Sequence, residues 1–309
     1  MSEKLLTSSS PHIRGKENTR RIMLDVVIAL LPAMAAGIWF FGIDALWVIV
    51  VTTGSCLAAE YITRKALKRE QTVGDLSAVV TGVLLGLNLT PSIPLWIAAI
   101  GGAVAIVIVK QLFGGIGQNF MNPALGARVI LVISWPVQMT RWVFPQGVDG
   151  VSAATPLAVA REGGPLPSLF DMFTGNIGGC IGETSALALL IGAAYLVLRR
   201  VIKLDIPLMY IGTFALLTLI FQEDVLFHIL AGGLLLGAFF MATDYSSTPM
   251  TKKGKLIFGF GCGVLSFVIR FYTGYPEGVS FSIILMNLVT PLIDGMTIPV
   301  SFGGEKSNA

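Results

Sequence analysis

The sequence predicts an all-α fold, a polytopic transmembrane helical bundle of about ten spans, on three observations. Of 309 residues, 54% are apolar and only 13% charged, with a mean hydropathy of +0.79, too few charges to cover a water-soluble surface of this size. Apolar runs of about 18 to 20 residues without a charge recur along the chain, the length that a hydrocarbon core about 30 Å thick demands. The 35 glycines would weaken helices in water, but in a bilayer small residues let helix backbones approach and pack.

In chain order, residues 1–21 are polar and precede a bundle over 22–298, which a short tail, 299–309, follows. The spans fall near Ile22–Gly42, Ile43–Ile62, Leu76–Leu89, Leu95–Val109, Pro123–Val137, Thr184–Leu198, Ile206–Phe221, Val225–Ala242, Leu256–Tyr272 and Val279–Ile298. The third and fifth are short for a bilayer, which predicts tilted, broken or partly re-entrant segments buried among neighbours. No cleavable signal peptide is expected, since the first apolar run is followed by others, and the first span doubles as the targeting signal.

Basic residues set the orientation. Lys4, Arg14, Lys16, Arg20 and Arg21 precede span one, Arg64, Lys65, Lys68 and Arg69 follow span two, and Lys110 follows span four. Arg199, Arg200 and Lys203 follow span six, Lys252, Lys253 and Lys255 follow span eight, and Lys306 lies in the tail, all on one side. That side is expected to be the cytoplasm, with both termini inside and the long segment 138–183 external, in the inner membrane of a bacterium. The net charge of +3 in scattered clusters gives no reason to expect a nucleic-acid partner.

The two halves echo each other. Gly82-Val83-Leu84-Leu85-Gly86 is similar to Gly233-Leu234-Leu235-Leu236-Gly237, and Phe120-Met121-Asn122-Pro123 to Leu285-Met286-Asn287 with Pro291 beyond. Spans three and eight, and five and ten, then match across five spans and run in opposite directions, an inverted five-plus-five repeat of the kind that places sites at the repeat interface. Chance recurrence of Gly and Leu in an apolar chain is the plainer alternative.

Within the external segment, Asp149-Gly150-Val151-Ser152-Ala153-Ala154-Thr155-Pro156 carries the most information. The residue before a proline is driven to an extended conformation, which is expected to present the Thr155 hydroxyl outward rather than tucked against a helix turn. The small residues around it leave room for a bulky group. A threonine hydroxyl is a poor nucleophile, so covalent attachment there needs an activating enzyme. The plainer reading is an ordinary Ser/Thr loop before a helix start.

This stretch resembles the Asp-Gly-x-Ser-small-Ala-Thr pattern on which bacterial flavin transferases join FMN, through its phosphate, to the final Thr. Ser8-Ser9-Ser10-Pro11-His12-Ile13-Arg14, Arg21-Ile22-Met23-Leu24-Asp25-Val26 and Ala29-Leu30-Leu31-Pro32-Ala33 are similar to the D-subunit family of Rnf ferredoxin:NAD oxidoreductase complexes. So is Gly114-Gly115-Ile116-Gly117-Gln118-Asn119 with Asn122-Pro123-Ala124, which the related B subunits of sodium-pumping NADH:quinone oxidoreductases share. The resemblance spans nearly the whole chain, and the shorter polar N-terminus favours the Rnf family.

The resemblance implies covalent FMN on Thr155, with Asp149, Ser152 and Ala154 in the recognised loop, and a second, non-covalent flavin such as riboflavin. Asn119 and Asn122, at a Gly-rich bend before span five, would help to bind a flavin; interhelical hydrogen bonding is the competing account. Asp244, at the end of span eight, would bind a cation or the ribityl hydroxyls of the second flavin, against a role at a helix cap shared with Thr248 and Pro249. Implied partners are Rnf subunits of the A, B, C, E and G types in a heteromeric membrane complex, and a flavin transferase for maturation. No metal site is expected: Cys56, Cys180 and Cys262 are scattered, and His12 and His228 show no partner spacing. Gly115 and Gly117 make no dinucleotide fingerprint, since no βαβ unit fits.

Arg128 and Arg270, within spans, are expected to pair with carboxylates or to snorkel, the latter for Arg270. The expected function is electron relay by a redox subunit without a complete catalytic cycle of its own, coupled to Na+ or H+ movement. A carrier or channel of inverted-repeat type and a passive membrane scaffold are the alternatives from other classes.

Overall fold

The computed structural model describes residues 18–145, 155–273 and 278–299, with the backbone of 152–153. It is a polytopic helical bundle, as the composition requires. The first half holds α1 (Thr19–Phe41), α2 (Ile43–Ala66), α3 (Ser77–Leu87), α4 (Leu95–Gln111) and α5 (Pro123–Ser134). Between the halves lie α6 (Pro136–Met139), the two-residue strands β1 (Trp142–Val143) and β2 (Ser152–Ala153), α7 (Pro156–Arg161) and α8 (Leu169–Thr174). The second half holds α9 (Ala186–Leu198), α10 (Asp205–Ile220), a span broken into α11 (Val225–Leu230) and α12 (234–241), then α13 (Lys252–Tyr272) and α14 (Val279–Thr297). The strands pair antiparallel, Trp142 opposite Ala153.

Among the described residues four helices, α1, α2, α13 and α14, are long and apolar enough to cross a bilayer alone, and the shorter apolar helices pack with them. Their exposed side chains are large and apolar, among them Trp39, Leu198, Leu208 and Leu292, as lipid-facing surface requires. α1 packs on α9 and α5 on α14, so the first spans of the two halves meet, and so do the last.

At the α1–α9 contact the backbones nearly touch: a Cβ on Gly192 would lie 2.0 Å from the Ala29 carbonyl oxygen. Asp25 pins the same pair, accepting from Tyr195 Oη at 2.9 Å and from Arg199 Nη2 at 3.1 Å. Gly192→Val is therefore expected to separate the two helices and cost about 1–3 kcal/mol or more. Thermal unfolding of the detergent-solubilised protein checks this; an unchanged Tm would contradict the close contact.

The third and fifth spans are short, as expected, α3 with 11 residues and α5 with 12, and the eighth span is broken as well. Gly232 and Gly233 both take positive φ, 67° and 69°, between α11 and α12. Backbone freed inside a bilayer must find partners within the protein. Arg270, expected to snorkel, instead lies buried in the bundle: Nη1 donates to the His228 carbonyl at 2.5 Å and Nη2 to that of Ala231 at 3.2 Å. The broken helix supplies acceptors that a side chain at the lipid surface would lack.

Candidate functional site

Two sites emerge, joined by a buried polar chain. The first surrounds Thr155. Its backbone is extended, φ −64° and ψ 155°, as Pro156 dictates. The hydroxyl does not project, however. Pro156 opens α7 as its first residue, which makes Thr155 the N-cap: Oγ1 accepts from the Ala158 amide at 3.2 Å, and the residue is 4% exposed. A pocket of about 20 Å³ beside it is lined by Ile177, Gly178, Gly179, Glu183, Thr184 and Gly232. In it the Thr184 hydroxyl is buried without a hydrogen-bond partner among the described residues. An unpaired buried hydroxyl is costly and so marks room for a polar ligand group. Asp149 and Ala154 lie outside the described residues, and of Ser152 only the strand backbone is described.

The second site is a cleft of about 90 Å³ near the N-terminus of α5, and it brings together three residues singled out from the sequence. Asn122 caps α5, its Oδ1 accepting from the amides of Ala124 at 3.0 Å and Leu125 at 3.4 Å. Its Nδ2 donates to the Met241 carbonyl at 3.3 Å, which ties the start of span five to the end of span eight. Asn119 donates to the Met121 carbonyl at 2.9 Å and lines the same cleft as the Asp244 carboxylate. Asp244 accepts from Ser246 at 2.9 Å and Ser247 at 3.0 Å. Enclosure of that carboxyl raises it above its ordinary value, opposed by the hydrogen bonds from Ser246 and Ser247, which favour the charge. The helix that follows is capped by Thr251 and not by Thr248, which donates to the Asp244 carbonyl at 2.7 Å.

The cleft also contains Lys110. Expected among the surface charges that fix orientation, Lys110 is 3% exposed, carried inward by the π-helical end of α4, Ala105–Gln111. Its Nζ donates to Glu60 Oε1 at 3.1 Å and Oε2 at 3.0 Å, and to Ser77 Oγ at 2.6 Å. Glu60, fully buried on α2, accepts further from Gln111 at 3.0 Å and Thr72 at 2.7 Å.

Between the two sites Arg128 of α5 forms the pair its sequence position calls for. Nη1 lies 2.7 Å from Glu183 Oε1, both side chains 6% exposed, and 2.6 Å from Asn88 Oδ1. The same guanidinium donates to Ser280 Oγ of α14 at 3.2 Å and to Cys180 Sγ at 3.3 Å. Asn88 in turn approaches Met241 Sδ at 3.6 Å. Asn122, Met241, Asn88, Arg128 and Glu183 thus run in contact from the cleft to the Thr155 pocket.

Glu183, Asn88, Thr184 and Cys180 are not among the site residues expected from the sequence. One signal was available: a buried Arg128 needs an anion, and Glu183 is the carboxylate that stands in a run of small residues, Gly178-Gly179-Cys180-Ile181-Gly182, just before a span.

Residues 6–303 match the NQR2, RnfD, RnfE family. The chain is 51% identical to the D subunit of the Na(+)-translocating ferredoxin:NAD(+) oxidoreductase complex of Acetobacterium woodii, over 99% of this chain and 98% of that protein. It is 45% identical to the D subunit of the proton-translocating ferredoxin:NAD(+) oxidoreductase complex of Clostridium ljungdahlii, over 97% and 96%. With the D subunit of an ion-translocating oxidoreductase complex of Escherichia coli it shares 36% identity, over 97% and 98%.

Proposed function

The chain belongs to the NQR2, RnfD, RnfE family, and from that premise we propose that it carries FMN on Thr155 and relays electrons within an ion-translocating ferredoxin:NAD oxidoreductase complex. It does so as a multi-pass membrane subunit among the other subunits of that complex, with the Thr155 loop outside and its basic loops in the cytoplasm. Na+ or H+ is the coupled ion, since relatives of similar identity are named for each. A second, non-covalent flavin such as riboflavin occupies the cleft of Asn119, Asn122 and Asp244.

The observation that carries this reading is the contact chain from Thr155's pocket to that cleft through Glu183, Arg128 and Asn88. The residues fit a phosphoryl ester. The Thr155 oxygen keeps a lone pair for the Ala158 amide once esterified, and the unpaired Thr184 hydroxyl can donate to a phosphoryl oxygen. Glu183 faces the same pocket but is neutralised by Arg128, so it does not repel an anion. With about 20 Å³, the pocket has room for a group the size of one water, so a phosphoryl oxygen can enter it while the rest of the linkage and the rings lie outside. Flavin supplies one- and two-electron redox chemistry, and the protein fixes its position and surroundings. The cleft, at about 90 Å³, is smaller than a ligand site of roughly 300 Å³ or more, so its walls move apart to take a flavin.

The test is a denaturing gel under ultraviolet light, with mass spectrometry of the peptide spanning Thr155, on protein made alongside a flavin transferase. A fluorescent band and the FMN mass are expected. Thr155→Ala and Thr155→Asn both lose them, and Asn retains a capping acceptor, so loss there is not a folding defect. An unmodified Thr155 peptide would overturn the reading.

A further inference from the structure

Lys203 stands some fifty positions of sequence before Lys252 and Lys255, yet all three line one cavity of about 430 Å³, within the range of roughly 300–1,000 Å³ that ligand clefts occupy. The cavity lies where the end of α9 and the starts of α10 and α13 come together, so it sits at one face of the bundle. None of the three ammonium groups forms an ion pair among the described residues, although Asp205 shares the cavity wall. Three cations against one carboxylate leave the cavity with a surplus of about two positive charges. Along the same elements the surface turns apolar: Met250, in the wall, is 83% exposed, Leu198, next in the chain after the wall residue Val197, is 81%, and Leu208, one turn beyond the wall residue Leu204, is 62%.

We propose that this cavity binds the phosphodiester headgroup of an anionic phospholipid, with Lys203, Lys252 and Lys255 on the phosphate and the acyl chains along Met250, Leu198 and Leu208. Unpaired lysines grouped at the membrane boundary attract anionic lipid, and a basic pocket between transmembrane helices fits a headgroup. A free phosphate has no use for the aliphatic surface that continues out of the cavity. The proposal does not rest on the redox reading: none of the three lysines lines the Thr155 pocket or the Asn119 cleft, although Ile202 stands in the wall of both this cavity and that cleft.

Native mass spectrometry of the delipidated full-length chain tests it, using phosphatidylglycerol and phosphatidylcholine with the same acyl chains. Retention of phosphatidylglycerol is expected to exceed that of phosphatidylcholine by roughly tenfold or more, and the triple variant Lys203→Gln, Lys252→Gln, Lys255→Gln to abolish the difference. The corresponding triple Arg variant restores it, while Lys65→Gln with Lys68→Gln, in another basic cluster, leaves it intact. Circular dichroism verifies that each variant is folded. Equal retention of both lipids by the native chain, or unchanged preference in the triple Gln variant, would overturn the proposal. So would displacement of phosphatidylglycerol by millimolar inorganic phosphate, which would make this a phosphate site.

Discussion

Arg128→Met is expected to prevent the chain from accumulating in folded form, and Glu183→Gln in the same molecule to restore most of what is lost. The pair is 2.7 Å apart with both side chains 6% exposed, so removing the guanidinium leaves a carboxylate charge with almost no water. Breaking a buried pair from one side costs about 3–5 kcal/mol, whereas removing both charges is often close to neutral. Against a total stability of about 5–15 kcal/mol the single change is severe. Two further partners raise the cost: Asn88 Oδ1 at 2.6 Å and Ser280 Oγ at 3.2 Å lose their donor and join α3 and α14 less firmly to α5. Comparing Tm and membrane yield of the two single variants and the double gives the coupling; additive losses would mean that the pair does not act as one unit. Because Glu183 faces the Thr155 pocket, the double variant also serves as a control for the flavin gel: its stability returns while the pocket loses a carboxylate.

Much of this architecture is legible in the sequence. Span boundaries follow from apolar runs and their breakers, because lipid forces every spanning segment to be helical and leaves few alternatives. The first helix, read as Ile22–Gly42, runs Thr19–Phe41, and the last, read as Val279–Ile298, runs Val279–Thr297. Local chemistry is legible where one neighbour decides it: Pro156 sets the extended backbone of Thr155, and Asn122 before Pro123 caps α5. What hydropathy cannot show is the direction in which a charge points. Lys110 and Arg270 stand at span ends, where a long side chain can reach either water or the interior. Glu60, fifty positions from Lys110, and the carbonyls released by the Gly232–Gly233 break decide for the interior. The same holds for the hydroxyl cluster of Tyr210, Ser266 and Ser282, which joins α10, α13 and α14 and has no local signature. The Asn119, Asn122 and Asp244 cleft required both halves at once, and only the resemblance pointed to it.

Glu60→Gln with Lys110→Met is expected to recover the stability that Lys110→Met alone destroys, yet not to recover non-covalent flavin. Lys110→Met leaves Glu60, fully buried, with only the neutral donors Gln111 and Thr72 where an ammonium had met both its oxygens. The cost is again about 3–5 kcal/mol, and neutralising the carboxylate removes most of it. Lys110 has a second environment, however, since it lines the cleft with Asn119, Asn122 and Asp244. The double variant is therefore a folded chain whose cleft has lost its ammonium and, through Ser77, a hydrogen bond at 2.6 Å on the cleft wall. Acid precipitation separates the two flavins: cofactor in the supernatant is non-covalent, and cofactor in the pellet is bound to Thr155. The double variant should show a Tm near that of the native chain, full fluorescence in the pellet and a severalfold loss in the supernatant. If native levels of both flavins accompany the recovered Tm, Lys110 serves the fold alone; if the pellet loses fluorescence as well, the ion pair supports the Thr155 loop from across the bundle. A selective loss is what a cleft holding flavin with the help of Lys110 requires, because the linings of the two sites share no residue and the contact chain described between them runs by way of Arg128.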